Sequence, residues 1–332
     1  AAWLEEAIEL FGDDLELVFG SHHWPRWGRE EALEYLSNQR DLYAFVHDQT
    51  LRLANSGLTP HEIAETLRLP ASLSEKWYNR DYYGTLCANA RAVYVRYLGF
   101  FDGNPATLHP LPQVKAASHY VEYMGGADNI VAKAEKDFDT GQYRWVAEVL
   151  NHVVMDNPEH IAPRALLADT IEQLGYQAES GPWRNFYLCG ALELREGLPE
   201  GSLYSISPGM LTTIPLENMF LILAVRLNAE RADGLVLNIN LKFTDDEPTL
   251  LTVENSVLHG FAGQQHDEPD ASLTLSSLNF KLLMAGQKVP ATLIGDGDLQ
   301  IDGDIAALAK MVSLFDQFER RFPIVTPRPD WS

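Results

Sequence analysis

Leu15-Glu16-Leu17-Val18-Phe19-Gly20-Ser21-His22-His23-Trp24-Pro25-Arg26-Trp27-Gly28 divides this chain into two kinds of sequence. Before it stands an amphipathic segment with Trp3, Leu4, Ile8, Leu10 and Phe11 at helical spacing; after it the pattern is helical almost without interruption to about Ala178. The quoted stretch reads as a short strand over 15–19 that stops at Gly-Ser and presents two histidines. A histidine held at a strand end suits a metal, because neutral imidazole is a common zinc ligand. Strand alternation predicts that His22 and His23 point in different directions, so only one of the two is the ligand. In a loop, an adjacent histidine pair is more often hydrogen-bonded structure than a metal site. Trp24-Pro25-Arg26-Trp27 is stiff and bulky, fit to wall an apolar pocket or to anchor a linker.

One helix and one strand cannot make a sheet, so residues 1–28 are expected to be the end of a larger domain. A metal centre needs three or four donors, and the chain contains no H-x-H-x-D-H, H-E-x-x-H or Cys-x-x-Cys. Nor is there a glycine-rich phosphate loop or a spacing that suggests a Ser-His-Asp triad. The 332 residues allow two or three domains, and 46% hydrophobic with 22% charged residues is the balance of a folded globular protein. The net charge of −22 opposes phosphate backbones, so no nucleic-acid partner is expected. No apolar run approaches the roughly 20 residues of a membrane span. Cys87 and Cys189 are too few to define a disulfide framework.

Within the helical region, Thr59-Pro60-His61-Glu62 carries an N-cap, a proline at the first helical position and an early glutamate. Helices are expected over Ile130–Asp139, Gly141–Met155 and Ile161–Leu174, an order that resembles a single tetratricopeptide-like pair and serves as a packing module or dimer surface. Trp77-Tyr78-Asn79-Arg80-Asp81-Tyr82-Tyr83-Gly84-Thr85, followed by Asn89 and Arg91, is dense in aromatic and polar groups. Arg80 or Arg91 could grip an oxyanion and the tyrosines could donate to it; equally, such clusters satisfy one another at helix junctions.

Beyond the turn-rich connection Gly197–Ser202 the period changes to two. Leu235, Leu237, Ile239, Leu241 and Phe243 alternate with Val236, Asn238, Asn240 and Lys242. Further strands are expected at Leu250–Glu254, Ser256–Phe261, Ala271–Leu275 and Asp298–Ile301, with helices at Leu216–Asn228 and Ser277–Ala285. A last helix is expected behind the Asp302-Gly303-Asp304 cap, running from Ile305 through Phe315, Phe318 and Phe322 to Pro323. Without regular strand–helix alternation, this is an α+β domain.

Three runs carry a family resemblance: Gly20-Ser21-His22-His23-Trp24-Pro25; Trp77 to Thr85; and Ala92-Val93-Tyr94 with Tyr97-Leu98-Gly99-Phe100-Phe101-Asp102-Gly103-Asn104-Pro105. Together they resemble the zinc-dependent alkylsulfatases of the metallo-β-lactamase superfamily. Ala271–Leu275, Leu282–Gly286 and Gly297–Asp304 separately resemble the strand, helix, strand and helix ending of sterol carrier proteins. The resemblance implies three parts: the end of a metallo-β-lactamase αβ/βα domain over 1–28, an all-α tetratricopeptide-like dimerisation domain over 29–196, and a sterol-carrier-like α+β domain over 203–328, its apolar tunnel suited to an alkyl chain.

The activity it implies is hydrolysis of long-chain primary or secondary alkyl sulfates to alcohol and sulfate, by a water activated between two zinc ions. His22 matches the family's final histidine ligand, whose partners in H-x-H-x-D-H lie upstream of it in the family pattern. On this reading Trp24 and Trp27 line the pocket, while Tyr82, Tyr83, Asn89 and Arg91 are contacts on the sulfate side. A homodimer through the helical domain, an upstream zinc domain in the same or a companion chain and a periplasmic or secreted setting also follow from the resemblance. The competing reading is a non-catalytic module that dimerises and binds lipid or surfactant.

Overall fold

The computed structural model describes residues 1–200, 208–319 and 321–328, which divide into two compact units. One unit comprises residues 1–199 and 322–332, the other residues 200–321. The contacts therefore draw the borders differently from the expected domains. Residues 1–28 share a unit with 29–196, and the chain beyond Arg321 leaves the sheet domain and returns to the helical one. The expected start at 203 and the end of the 197–202 connection lie outside the described residues.

The first unit opens with α1 (Ala2–Phe11), which packs on the long α2 (Arg29–Asn55). Arg40 of α2 pairs with Glu5, and Arg29 donates to the Gly12 carbonyl at 2.8 Å. No residue of α1 is buried, because α2 covers it from one side only. Between them, β1 (Leu17–Val18) and β2 (Arg26–Trp27) form an antiparallel hairpin with Leu17 opposite Trp27. The single strand expected here thus has a partner: Trp24-Pro25-Arg26-Trp27 turns the chain back, and the histidines sit at the tip of a hairpin.

The remaining helices are α3 (Pro60–Thr66), α4 (Ala71–Ser74), α5 (Leu86–Leu98), α6 (Gln113–Tyr123), α7 (Ala127–Asp139), α8 (Tyr143–Asp156), α9 (Ile161–Gln177) and α10 (Gly181–Glu196). Helix α3 starts where the sequence indicates: the Thr59 hydroxyl accepts from the Glu62 N–H, and the Glu62 carboxylate accepts from the Thr59 N–H at 2.8 Å, closing a capping box. Two cores hold the unit. Leu53, Ile63, Leu67, Ala90 and Tyr94 join α2, α3 and α5. Val146, Leu150, Val153, Leu167, Ala168 and Leu194 centre the bundle of α6 to α10. A fully buried Leu or Val side chain contributes about 1.5–3 kcal/mol, so this apolar stripe outweighs any surface ion pair here. The returning tail is held by Glu193, whose carboxylate accepts from the N–H groups of Ile324 and Val325 at 2.9 and 3.0 Å.

The second unit contains α11 (Pro208–Thr213), α12 (Leu216–Arg226), β3 (Leu237–Phe243), β4 (Thr249–Glu254), β5 (Val257–Ala262), β6 (Ala271–Leu275), α13 (Ser277–Met284), α14 (Pro290–Gly295), β7 (Leu299–Gly303) and α15 (Ile305–Ser313). Its five strands lie in the order β5-β4-β3-β6-β7, all antiparallel except β3 with β6, where Ile239 pairs with Ala271. Asn255 and Ser256 take positive φ (52° and 60°) in the tight turn between β4 and β5. Ile239, Leu241, Val253, Leu275, Phe280, Leu293 and Leu314 form the core. The fold class is therefore a mainly helical unit, carrying one short hairpin, followed by a unit of helices and a five-stranded sheet.

The last helix is shorter than its apolar spacing predicts. It starts at the expected cap, with the Asp304 carboxylate accepting from the Ala306 N–H at 2.7 Å, but it ends at Ser313. The next residues pair with the end of α12 instead. Asn228 N–H donates to the Leu314 carbonyl and Asp316 N–H to the Arg226 carbonyl, both at 2.8 Å, and Leu227 bridges Phe315. Arg231 and Asn228 then meet the Asp316 carboxylate. These long-range bonds take the backbone groups that further helical turns would use.

Candidate functional site

The hairpin tip from Gly20 to His23 faces α2 and the loop from Arg80 to Gly84 across a cavity of about 590 Å³. Residues 21–23 form bends, not strand, so side-chain alternation does not apply and both histidines line the same cavity. His22 is exposed and stacks on Tyr83, with ring centroids 3.9 Å apart and 19° between planes. His23 is half-buried and meets Tyr35, Trp77 and Tyr82 edge-on, at 6.2 to 6.5 Å between centroids. Burial, assisted by the neighbouring His22, holds the His23 imidazole below its ordinary pKa, which favours the neutral ring.

The facing wall is fixed from beneath. Residues Trp77–Asn79 form a single 3-10 turn whose buried Asn79 donates to the Leu73 carbonyl at 3.0 Å and accepts from Gln39 at 2.7 Å. Asn38 donates to the Tyr78 hydroxyl at 3.1 Å. Asp81 accepts from the Leu86 N–H at 3.0 Å, and the Thr85 hydroxyl from the Ala88 N–H at 3.0 Å, so both cap α5. Burial pushes the Asp81 carboxyl above the usual carboxylate range; the Leu86 bond opposes this and the Glu179 charge adds to it. Arg80 pairs with Glu179 and lies over the Tyr82 ring, its guanidinium carbon 5.6 Å from the centroid. From α10, the Ser180 hydroxyl donates to the Tyr83 carbonyl at 2.6 Å and Gly181 N–H to the Tyr82 carbonyl at 2.9 Å.

The structure divides the residues singled out from sequence. His22, His23, Tyr83 and Asn89 line one cavity together, and Gly84 leaves room for Asn89: a Cβ at position 84 would stand 3.3 Å from its carboxamide oxygen. Tyr82 touches that group through His23. Arg91 does not belong to it. Two residues further along α5, and so on the other side of the helix, it lines a second cavity of about 590 Å³ with Arg144, Cys87, Trp183 and Tyr187, and its buried Nε has no hydrogen-bond partner. Trp24 and Trp27, 77% and 65% exposed, stand outside both linings. Tyr35, Gln39 and Ser180 were not singled out, and Asn79 and Asp81 were noted only as members of the aromatic and polar cluster; Ser180-Gly181-Pro182 has the look of a helix start, but its bond to Tyr83 has no local signature.

Two imidazoles on a cavity wall are suitable donors for zinc, yet they are a partial set. Among the described residues, no group of three or more His, Cys, Asp or Glu side chains is placed to hold a metal ion. The described residues by themselves do not complete a zinc site. No helix among the described residues is long and apolar enough to cross a membrane.

Two known domains match parts of the two units, the first match beginning beyond the hairpin tip and its histidines. Residues 59–197 match the family model for alkyl sulfatase dimerisation and residues 204–327 that for the alkyl sulfatase C-terminal domain; the chain belongs to the alkylsulfatase family. It is 45% identical to a linear primary-alkylsulfatase of a Pseudomonas species, over 98% of this chain and 48% of that protein. It is 44% identical to the alkyl/aryl-sulfatase BDS1 of Saccharomyces cerevisiae, over 98% of this chain and 50% of that protein. The solved structure of the stereoselective inverting sec-alkylsulfatase Pisa1 from a Pseudomonas species superposes with a TM-score of 0.91 at 40% identity, covering 98% of this chain and 52% of that one. The chain thus spans about half the length of the relatives it matches.

Proposed function

We propose that the protein containing this chain hydrolyses alkyl sulfates to alcohol and sulfate. The observation that carries this reading is the 45% identity to a linear primary-alkylsulfatase along 98% of the chain. In this proposal His22 supplies one donor to a site of two zinc ions, completed by ligands that are not among these residues, and Tyr83 and Asn89 face the sulfate group from the opposite wall. Zinc, when bound, would polarise the ester and lower the pKa of an attacking water. Burial favours the neutral form of His23, and Tyr35, Trp77 and Tyr82 pack edge-on around its ring. Tyr82 stands behind His23 and holds its plane. Arg91, across α5 in the other cavity, is not given a substrate contact.

The helical unit is the surface through which two copies associate, as the dimerisation match suggests. The sheet domain resembles sterol carrier proteins in its strand and helix ending, and it would receive the apolar chain of the substrate. A second reading has its own support in the partial donor set: the 332 residues alone act as a dimerising, surfactant-binding module. Dodecyl sulfate turnover and zinc content, measured on the full-length protein and on this chain, separate the two. Turnover by the full-length protein with bound zinc is expected; no turnover from either, with surfactant binding retained, would leave only the module.

A further inference from the structure

We propose that Ser180 is a positioning residue for the His22 cavity, acting through the Tyr83 carbonyl. The inference deepens the alkylsulfatase reading and rests on it for its kinetic test. Tyr83 reaches its place opposite His22 with little help from packing, since the side chain is 56% exposed. What locates it is backbone. The Ser180 hydroxyl, on a residue 2% exposed and 97 positions away, donates to its carbonyl at 2.6 Å. The adjacent Gly181 N–H holds the Tyr82 carbonyl at 2.9 Å. Two consecutive residues of the α10 start therefore hold two consecutive residues of the loop.

The lever is rigid. Helix α10 is anchored by buried Gly190, Ala191 and Leu194, and the Ser180 oxygen also accepts from the Trp183 N–H at 3.3 Å. One hydroxyl thus serves as acceptor for the helix and donor to the loop, which a side chain without a proton cannot do. If the donor is lost, Tyr83 faces a buried oxygen without its partner, the loop shifts, and the ring leaves His22. The cap and the loop bond can be separated by chemistry. Ser180→Asp keeps a good N-cap acceptor but loses the donor, Ser180→Thr keeps both, and Ser180→Ala loses both.

In the full-length protein, Ser180→Asp and Ser180→Ala should each lower kcat/KM for dodecyl sulfate by roughly tenfold, mainly through KM, with Ser180→Thr restoring it, as a small misplacement of a substrate-facing group would cause. Ring-current shifts of the His22 Cε1 proton, read by NMR on histidine-labelled protein and assigned with His22→Gln, report the stack without activity. They should collapse in the Asp and Ala variants and persist in Thr. Unmoved His22 resonances in a folded Asp or Ala variant overturn the positioning role. An inactive wild-type protein would instead overturn the alkylsulfatase reading, and the resonances would still decide the role of Ser180.

Discussion

The His22 imidazole lies almost flat on the Tyr83 ring, 3.9 Å between centroids, although the two belong to a hairpin tip and a loop held by separate helices. The stack joins the two walls of the cavity. In the full-length protein, His22→Ala should remove zinc from one position and abolish alkyl sulfate hydrolysis. Metal analysis beside a turnover assay checks this; full zinc content with wild-type turnover would refute the donor role.

His23 predicts a pH dependence of stability. Its folded pKa lies below the ordinary imidazole value of about 6.5, so in acid the unfolded chain binds more protons than the folded one. Stability should therefore fall as pH drops below that value. His23→Gln, which keeps polarity without titrating there, should flatten the urea-denaturation midpoint between about pH 5 and 7 relative to wild type.

The capping box at Thr59 and Glu62 offers a local test. Thr59→Ala should cost about 1 kcal/mol of stability and fray the first turn of α3, visible as faster amide exchange at Ile63. The bonds from Thr59 also depress the Glu62 carboxyl, so the box works above the unfolded glutamate pKa and is lost as pH falls through the folded one.

Leu150 is wholly buried at the centre of the α6 to α10 bundle. Leu150→Ala should destabilise the protein by about 2–5 kcal/mol, the transfer cost plus that of the cavity left behind. Chemical denaturation measures it, and a loss well under 1 kcal/mol would contradict the packing described.

Asp316 should matter more than a charge after a helix end ordinarily does. Asp316→Ala removes the acceptor shared by Arg231 and Asn228, and a loss of about 1 kcal/mol is expected, held down by the pair's partial exposure. Asp316→Pro also deletes the N–H that bonds the Arg226 carbonyl and should cost more.

Elements whose signals are local were legible in sequence. The α3 cap, the two-residue period of β3, the helix pairs of α7 to α9 and the aspartate cap of α15 all depend on neighbours within about one turn or one pleat. The end of α15 was not, because Leu314 and Asp316 bond residues near 227 in place of their own helix. The hairpin return at Arg26–Trp27 was missed for the same kind of reason: two residues of strand carry no period to detect.

By itself, the order of residues determined the locally capped helices and the strands long enough to show a two-residue period, the acidic charge, and the family to which three short motifs point. Only the tertiary structure decided that His22 and His23 share one cavity, that Arg91 faces another, and that Tyr83 is held from α10. Spacing along a chain reports periodicity and caps, whereas a wall of a site is made by hydrogen bonds and ring contacts between segments far apart in sequence. Their partners become neighbours only once the cores beneath them have closed.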